Sequence, residues 1–488
     1  MQTESILAYF CLCQFLWRFS LAEDCPYKEC QCQYSSIFCE GKALHSIPVL
    51  ANRNSTAFTE LTLDDNQITT IQSGNLPPNL TQLSLLDNPL TSIDDDAFNS
   101  SATTLNSLAF SKPRFNRIPN ALLSLHTLQH LQVNDASISD WNIDVLNHIG
   151  PTLKSLNLNN VSFTSPPTWL QYLSHVTELN IVASNLSSLP DNALDSMADS
   201  LITVSLSSNR LTEVPKALSK LTAIQLLDLS SNRIKSTKYL PISTHAIFVS
   251  LNENLIYNSS ELSNSLRGCA KSLVALNIQD NLLTSIPDVS FLTGMKSLDF
   301  RDNRISDYSS GVLQSNLLAL DLENNLLRSI PVGIPGLENL EAIVMTSNII
   351  SHIQGADFPP KVETVVLAKN LITALNDDSF PENALFQTLN LNYNPISNIS
   401  PAAFKHLSLL QGLSLQGTEL TRLPLALTSL VDLYSLDVTD TTGLVCTCQE
   451  KDLAAWILSP KMVSILGNCG NIKVYDFFSI LSPGCPTK

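Results

Sequence analysis

The sequence predicts an α/β-type repeat fold: a curved solenoid with one long parallel sheet on its concave face, closed by a disulfide-bonded cap at each end. Two observations carry this. The pattern L-x-x-L-x-L-x-x-N-x-L fits the chain seventeen times in succession, its amide slot falling at 66, 88, 113, 136, 161, 184, 209, 232, 254, 281, 303, 325, 348, 370, 394, 418 and 441, at intervals of 22 to 27 residues. Cysteines cluster at the two ends, Cys25, Cys30, Cys32 and Cys39 at one and Cys446, Cys448, Cys469 and Cys485 at the other. A fixed period of this length marks stacked units that cannot bury their apolar face alone.

The chain begins with an apolar stretch, ILAYFCLCQFLW at 6 to 17, too short to span a bilayer, followed by the small residues Ser20 and Ala22. A secretory leader over residues 1–22 is expected, although no Lys or Arg precedes its apolar part. A cap over 23–49, a solenoid of about seventeen repeats over 50–443 and a second cap over 444–488 follow. No later apolar run is long enough for a membrane span, and SPGCPTK at the end offers no lipid-anchor tail. A soluble, extracellular, secreted product without a membrane anchor is expected. The formal charge of -16 and pI of about 4.8 argue against nucleic acid or an anionic membrane as partner. Clustered cysteines fit an oxidising compartment, with zinc as the rival reading of any four.

The repeat LLALDLENNLL at 317 to 327 shows the logic. Leu320 and Leu322 are two apart, so on a strand they point to one side, into the core, while Asp321 and Glu323 point to the other. Where the chain leaves the strand its buried peptide groups need partners, and an asparagine side chain supplies donors and an acceptor. Asn66, Asn88, Asn209, Asn232, Asn254, Asn281, Asn303, Asn325, Asn348, Asn370 and Asn394 are therefore expected to be structural. Pro113, Ala136, Val161 and Ser184 interrupt the series, and altered curvature or looser packing is expected between about 105 and 190. Ser can partly substitute for the amide; Thr418 and Thr441 are milder departures.

The pattern resembles the leucine-rich-repeat family over essentially all of residues 25 to 485. The head, CPYKECQCQYSSIFCEGKALHSIP, resembles the cysteine-rich N-terminal cap of its extracellular members, and CTCQEKDLAAWILSP with Cys469 and Cys485 resembles their C-terminal cap. Spacing alone permits three connectivities per cluster. The resemblance implies Cys25–Cys32, Cys30–Cys39, Cys446–Cys469 and Cys448–Cys485, with Trp456 as the aromatic plug of the second cap. Cys269 is left over, either a buried inert thiol or an intermolecular link. Sequons stand at Asn54, Asn79, Asn99, Asn160, Asn185, Asn258 and Asn398, none of them on the strand faces between about 225 and 440.

No catalytic pattern is present: no G-x-S-x-G, H-E-x-x-H, phosphate loop or G-x-G-x-x-G. No enzyme activity, cofactor or metal is expected, and His126 with His130 should diverge. The candidate surface is the inner sheet face, where the central strand position carries Asp228, Ser250, Asn277, Asp299, Asp321, Val344, Val366 and Asn390. Asp299 and Asp321 should lie on adjacent strands and repel unless Arg301, beside Glu323, neutralises them or a basic partner does. Val344 and Val366 form an apolar pair flanked by acids, and Phe248, Tyr393 and Tyr434 are expected on the same face. The expected function is non-catalytic recognition of a basic or amphipathic protein or peptide on the concave face, in an adhesion, signalling or carrier role. An alternative rests on the run at 184 to 215, which resembles arthropod secreted repeat proteins related to the non-catalytic subunit of crustacean luciferase. That likeness implies a stabilising subunit of a secreted enzyme.

Overall fold

A computed structural model describes residues 25–51, 57–307, 309 and 311–485. The expected leader at 1–22 and the sequon asparagine Asn54 lie outside the described residues. Contacts divide the chain into two units, Met1–Asn157 and Leu158–Lys488. The division falls among the repeats whose slot lacks asparagine.

In the first unit the strand Gln31–Gln33 pairs antiparallel with Ser36–Phe38, and the cap holds the expected disulfides Cys25–Cys32 and Cys30–Cys39. Parallel strands then follow at Glu60–Thr62, Gln82–Leu85, Ser107–Ser111 and His130–Ala136. Their register places Ile37, Leu61, Leu83, Leu108 and Leu131 in one line, and all are buried. Tyr27 closes the end of this core: its ring is fully buried and its hydroxyl donates to the Asn75 carbonyl at 2.6 Å.

The second unit repeats the plan. Three-residue strands at Thr203–Ser205, Leu226–Asp228, Phe248–Ser250, Ala275–Asn277 and Ser297–Asp299 pair side by side. Ala319–Asp321, Ala342–Val344, Thr364–Val366, Thr388–Asn390, Gly412–Ser414, Ser435–Asp437 and Ser464–Leu466 continue the parallel sheet. Leu298, Leu320, Ile343, Val365, Leu389, Leu413 and Leu436 line up beneath it, each contributing roughly 1.5–3 kcal/mol by leaving water. The return segments carry short 3-10 turns, the helix Ser259–Leu266 and a stack of Phe358, Phe380, Phe386 and Phe404 with ring centroids 5.2 to 6.3 Å apart. The cap holds Cys446–Cys469 and Cys448–Cys485. There Trp456 Nε1 donates to the Leu430 carbonyl at 2.9 Å. Glu450, 3 % exposed, accepts from the Arg422 guanidinium and from the Thr447 N–H at 2.8 Å.

The asparagine slots behave as the sequence suggests. Asn325 Nδ2 donates to its own repeat at Leu322 and Glu323 and to the Phe300 carbonyl one repeat back, while Oδ1 accepts from the Ile305 N–H. Asn303 and Asn348 repeat the set. A further regularity has no mark in the apolar pattern: the residue before each slot adopts a left-handed backbone, as at Asp302 (φ 56°), Asn324 (53°), Ser347 (56°) and Lys369 (53°). Such geometry costs an ordinary residue about 1–2 kcal/mol, and the amide's four bonds offset it. Gly417 (φ 63°) takes this place in one repeat, where the Tyr393 ring lies against it and leaves no room for a Cβ.

Where asparagine is missing the packing does not loosen. Pro113, Ala136 and Val161 are buried, and the strands lengthen to five residues at Ser107–Ser111, seven at His130–Ala136, seven at Ser155–Val161 and five at Glu178–Val182. The sheet ladder itself then satisfies peptide groups that an amide would otherwise reach. Ser184 substitutes in part, its Oγ accepting from the Val161 N–H at 2.9 Å and donating to the Val182 carbonyl at 2.7 Å. Thr418 and Thr441 both donate to the Leu415 carbonyl. Cys269 is a buried free thiol, its Sγ 3.8 Å from the Pro241 carbonyl, and burial pushes its pKa up.

Candidate binding face

The second unit presents the outward side of its sheet as registered rows. The central row runs Asp228, Ser250, Asn277, Asp299, Asp321, Val344, Val366, Asn390, each residue directly opposite the next. The strand-start row beside it is Leu226, Phe248, Ala275, and then Ser297, Ala319, Ala342, Thr364, Thr388, Gly412 and Ser435. From Ala275 onward nothing in that row is larger than threonine. Phe248 thus stands with Leu226 at the bulky end of this row rather than in the central row.

The acids are less bare than their spacing suggests. Arg301 grips Asp299 through Nε at 3.0 Å and Nη2 at 2.7 Å, and its Nε reaches Asp321 on the next strand at 3.5 Å. Two negative partners hold the guanidinium firmly charged, the Asp299 hydrogen bond contributing most. Asp299 Oδ1 also accepts from the Arg301 N–H at 3.0 Å, and Asp321 Oδ1 from the Glu323 N–H at 2.9 Å. Asp228, Asn390 and Asp437 make the same bond to the peptide two residues on. The central acids therefore have a structural duty that hydrophobic patterning does not reveal: they close the strand end, as Asx turns do. Burial nonetheless raises the pKa of Asp321, with Asp299 adding to the rise.

Two carboxylates, Asp299 and Asp321, thus share one guanidinium, and the charge of Glu323 adds a weaker attraction to it. Next to them Val344 and Val366 lie directly opposite each other. A second acidic line follows the left-handed turns, where Asp302 accepts from Asn324 Nδ2. Burial, and then repulsion from Asp302 and Glu253, raises the pKa of Asp280. Tyr393 does not sit on the sheet face as expected. It occupies one of the left-handed turn positions (φ 55°), and its hydroxyl donates to Asp440 at 3.0 Å. Tyr434, 48 % exposed, directly precedes the strand Ser435–Asp437.

Among the described residues no group of three or more His, Cys, Asp or Glu side chains could hold a metal ion. The His126 ring packs edge-on against His148, centroids 5.2 Å apart. No helix among the described residues is long and apolar enough to cross a membrane.

Known proteins repeat this construction. The family described as leucine rich repeat matches residues 174–234 and 360–439. The chain has the leucine-rich-repeat fold. It is 28% identical to mouse podocan over 174 residues, covering 35% of this chain and 26% of podocan. It is 30% identical to Tsukushi-A of Xenopus laevis over 193 residues, covering 39% of this chain and 49% of that protein. The chain spans from a quarter to half of the length of these two relatives. A leucine-rich-repeat protein of Leptospira interrogans superposes with a TM-score of 0.60 at 21% identity, over 83% of this chain and 95% of that one, a likeness of fold. The resemblance to a luciferase subunit finds no support among these relatives.

Proposed function

We propose that this leucine-rich-repeat protein is a secreted, non-catalytic scaffold that captures a protein or peptide partner on the outward side of its second-unit sheet. The partner offers cationic groups to Asp299, Asp321 and Glu323 and an apolar side chain to Val344 and Val366. One observation carries the reading: an acidic step and an apolar step are contiguous in a single registered row, beside a row kept low by small residues. An extended or helical segment can lie across such a row without meeting a bulky side chain, and the charged rim sets orientation. The overall charge of -16 favours encounter with a basic partner. Four disulfides fit an extracellular setting.

The experiment is recovery of the native protein with whatever accompanies it, identification by mass spectrometry, and titration of that partner against variants. Because Asp299 and Asp321 also hold the backbone, the cleaner probes are Glu323→Lys and Val344→Glu. Each should weaken association by roughly tenfold, about 1.4 kcal/mol, with secretion intact. Unchanged affinity in both would remove this face from consideration.

A further inference from the structure

The longest interval between slots, from 254 to 281, contains the helix Ser259–Leu266. Asn258 caps it, its Oδ1 accepting from the Glu261 N–H at 3.0 Å. That bond fixes which end of the amide meets the helix and turns Nδ2 the other way. Asn258, Ser259 and Ser260 form a sequon whose acceptor atom is this same Nδ2, and both Asn258 and Ser260 are exposed. Asn258 also stands on the wall of an open cavity of about 710 Å3, within the roughly 300–1,000 Å3 of pockets that hold small ligands.

The cavity has two characters. Leu240 and Ile242 make an apolar side, and Ile242 is 72 % exposed, while Lys238, Asn264 and Arg267 bring polar ends. Gly268 lets the chain close beneath them: a Cβ there would fall 2.9 Å from Ile242 Cα. A hexosamine ring is two-sided in the same way, with a face of C–H groups and a rim of hydroxyls and an acetamide. By contrast, at Asn99 the sequon hydroxyl of Ser101 is buried and accepts from the Leu80 N–H at 2.9 Å.

We propose that Asn258 carries an N-linked glycan whose first sugar lies in this cavity, covering Ile242 and bracing the helix. In the transfer, Nδ2 attacks C1 of a lipid-linked oligosaccharide diphosphate. The N–C1 bond forms, the C1–O bond to the lipid diphosphate breaks, and Nδ2 gives up one proton. Oδ1 takes no part, so capping and modification coexist on one side chain. The inference concerns a return segment rather than the binding face and requires only passage through the secretory route.

The test uses the full chain secreted from cultured eukaryotic cells. Ser260→Ala abolishes the sequon and keeps the Asn258 cap; Ser260→Thr keeps both. Glycopeptide mass spectrometry should find a hexosamine-linked Asn258 in the wild type and Ser260→Thr, and none in Ser260→Ala. Hydrogen exchange over residues 238–242 and 259–268 should be roughly threefold faster in Ser260→Ala and normal in Ser260→Thr. On the folded wild type, an endoglycosidase that leaves one sugar should preserve slow exchange, and an amidase that removes the whole glycan should not. This second comparison decides the matter if Ser260→Ala is not secreted. An unmodified wild-type Asn258, or exchange indifferent to removal of the first sugar, would overturn the proposal.

Discussion

Arg301 and Asp321 lie on neighbouring turns of the second unit with Nε and Oδ2 3.5 Å apart, and the same guanidinium is chelated by Asp299. One cation thus compensates two carboxylates on adjacent strands. Arg301→Ala should lower stability by about 1 kcal/mol at neutral pH, because the groups are partly exposed and the pair is screened. The deficit should shrink as the carboxylates protonate. Thermal unfolding at about pH 3.5 and 7 reads both points.

Asp321→Asn tests the opposite sign. The folded state raises the pKa of Asp321, so ionisation costs more in the folded chain than in the unfolded one. Its effect on stability is fully favourable below the ordinary carboxyl range and is lost as pH rises through the raised value. The asparagine can still accept from the Glu323 N–H. Relative to wild type, the variant should therefore gain stability as pH rises across that window, and a flat difference would contradict the assignment.

Asn325→Ala removes a buried amide that bridges two repeats, leaving the Phe300 carbonyl and the Ile305 N–H short of partners. A loss of about 1–3 kcal/mol is expected. Nearest-neighbour coupling in a stack should concentrate it locally. Hydrogen exchange should rise at Ile305 and around Asn325 and much less near Leu436.

At the C-terminal cap, Arg422→Ala leaves Glu450 buried with its carboxylate short of its cation. About 2 kcal/mol of destabilisation is expected, more than at Arg301 because Glu450 is almost fully enclosed. Arg422→Ala with Glu450→Gln should recover part of it, since a neutral amide can still accept from the Thr447 N–H. Denaturant midpoints of the single and double variants provide the measurement.

Cys269 should resist alkylation in the native protein at pH about 8 and react once the chain is unfolded, because burial both raises its pKa and blocks access. Mass spectrometry after brief labelling with and without denaturant distinguishes this from an intermolecular link, which would show no free thiol in either state.

What the sequence determined by itself was the periodic part. Leucines two apart define the buried face, the amide every 22 to 27 residues defines the turn, and the central row follows because parallel strands in register place equivalent positions side by side. The cap cysteines and their pairing were legible through family resemblance, since spacing left three pairings open for each cluster. What the tertiary structure alone decided depends on where side chains end. The reach of Arg301 to Asp299 and Asp321, the strand-closing bonds of the aspartates, and the turn position of Tyr393 all follow from rotamers and left-handed residues that a pattern of apolar positions does not encode. The lengthened strands at Ser107–Ser111 and His130–Ala136 belong with them: when the amide is missing, the peptide groups must still be paired, and only the packed chain shows that the neighbouring strand supplies the partner.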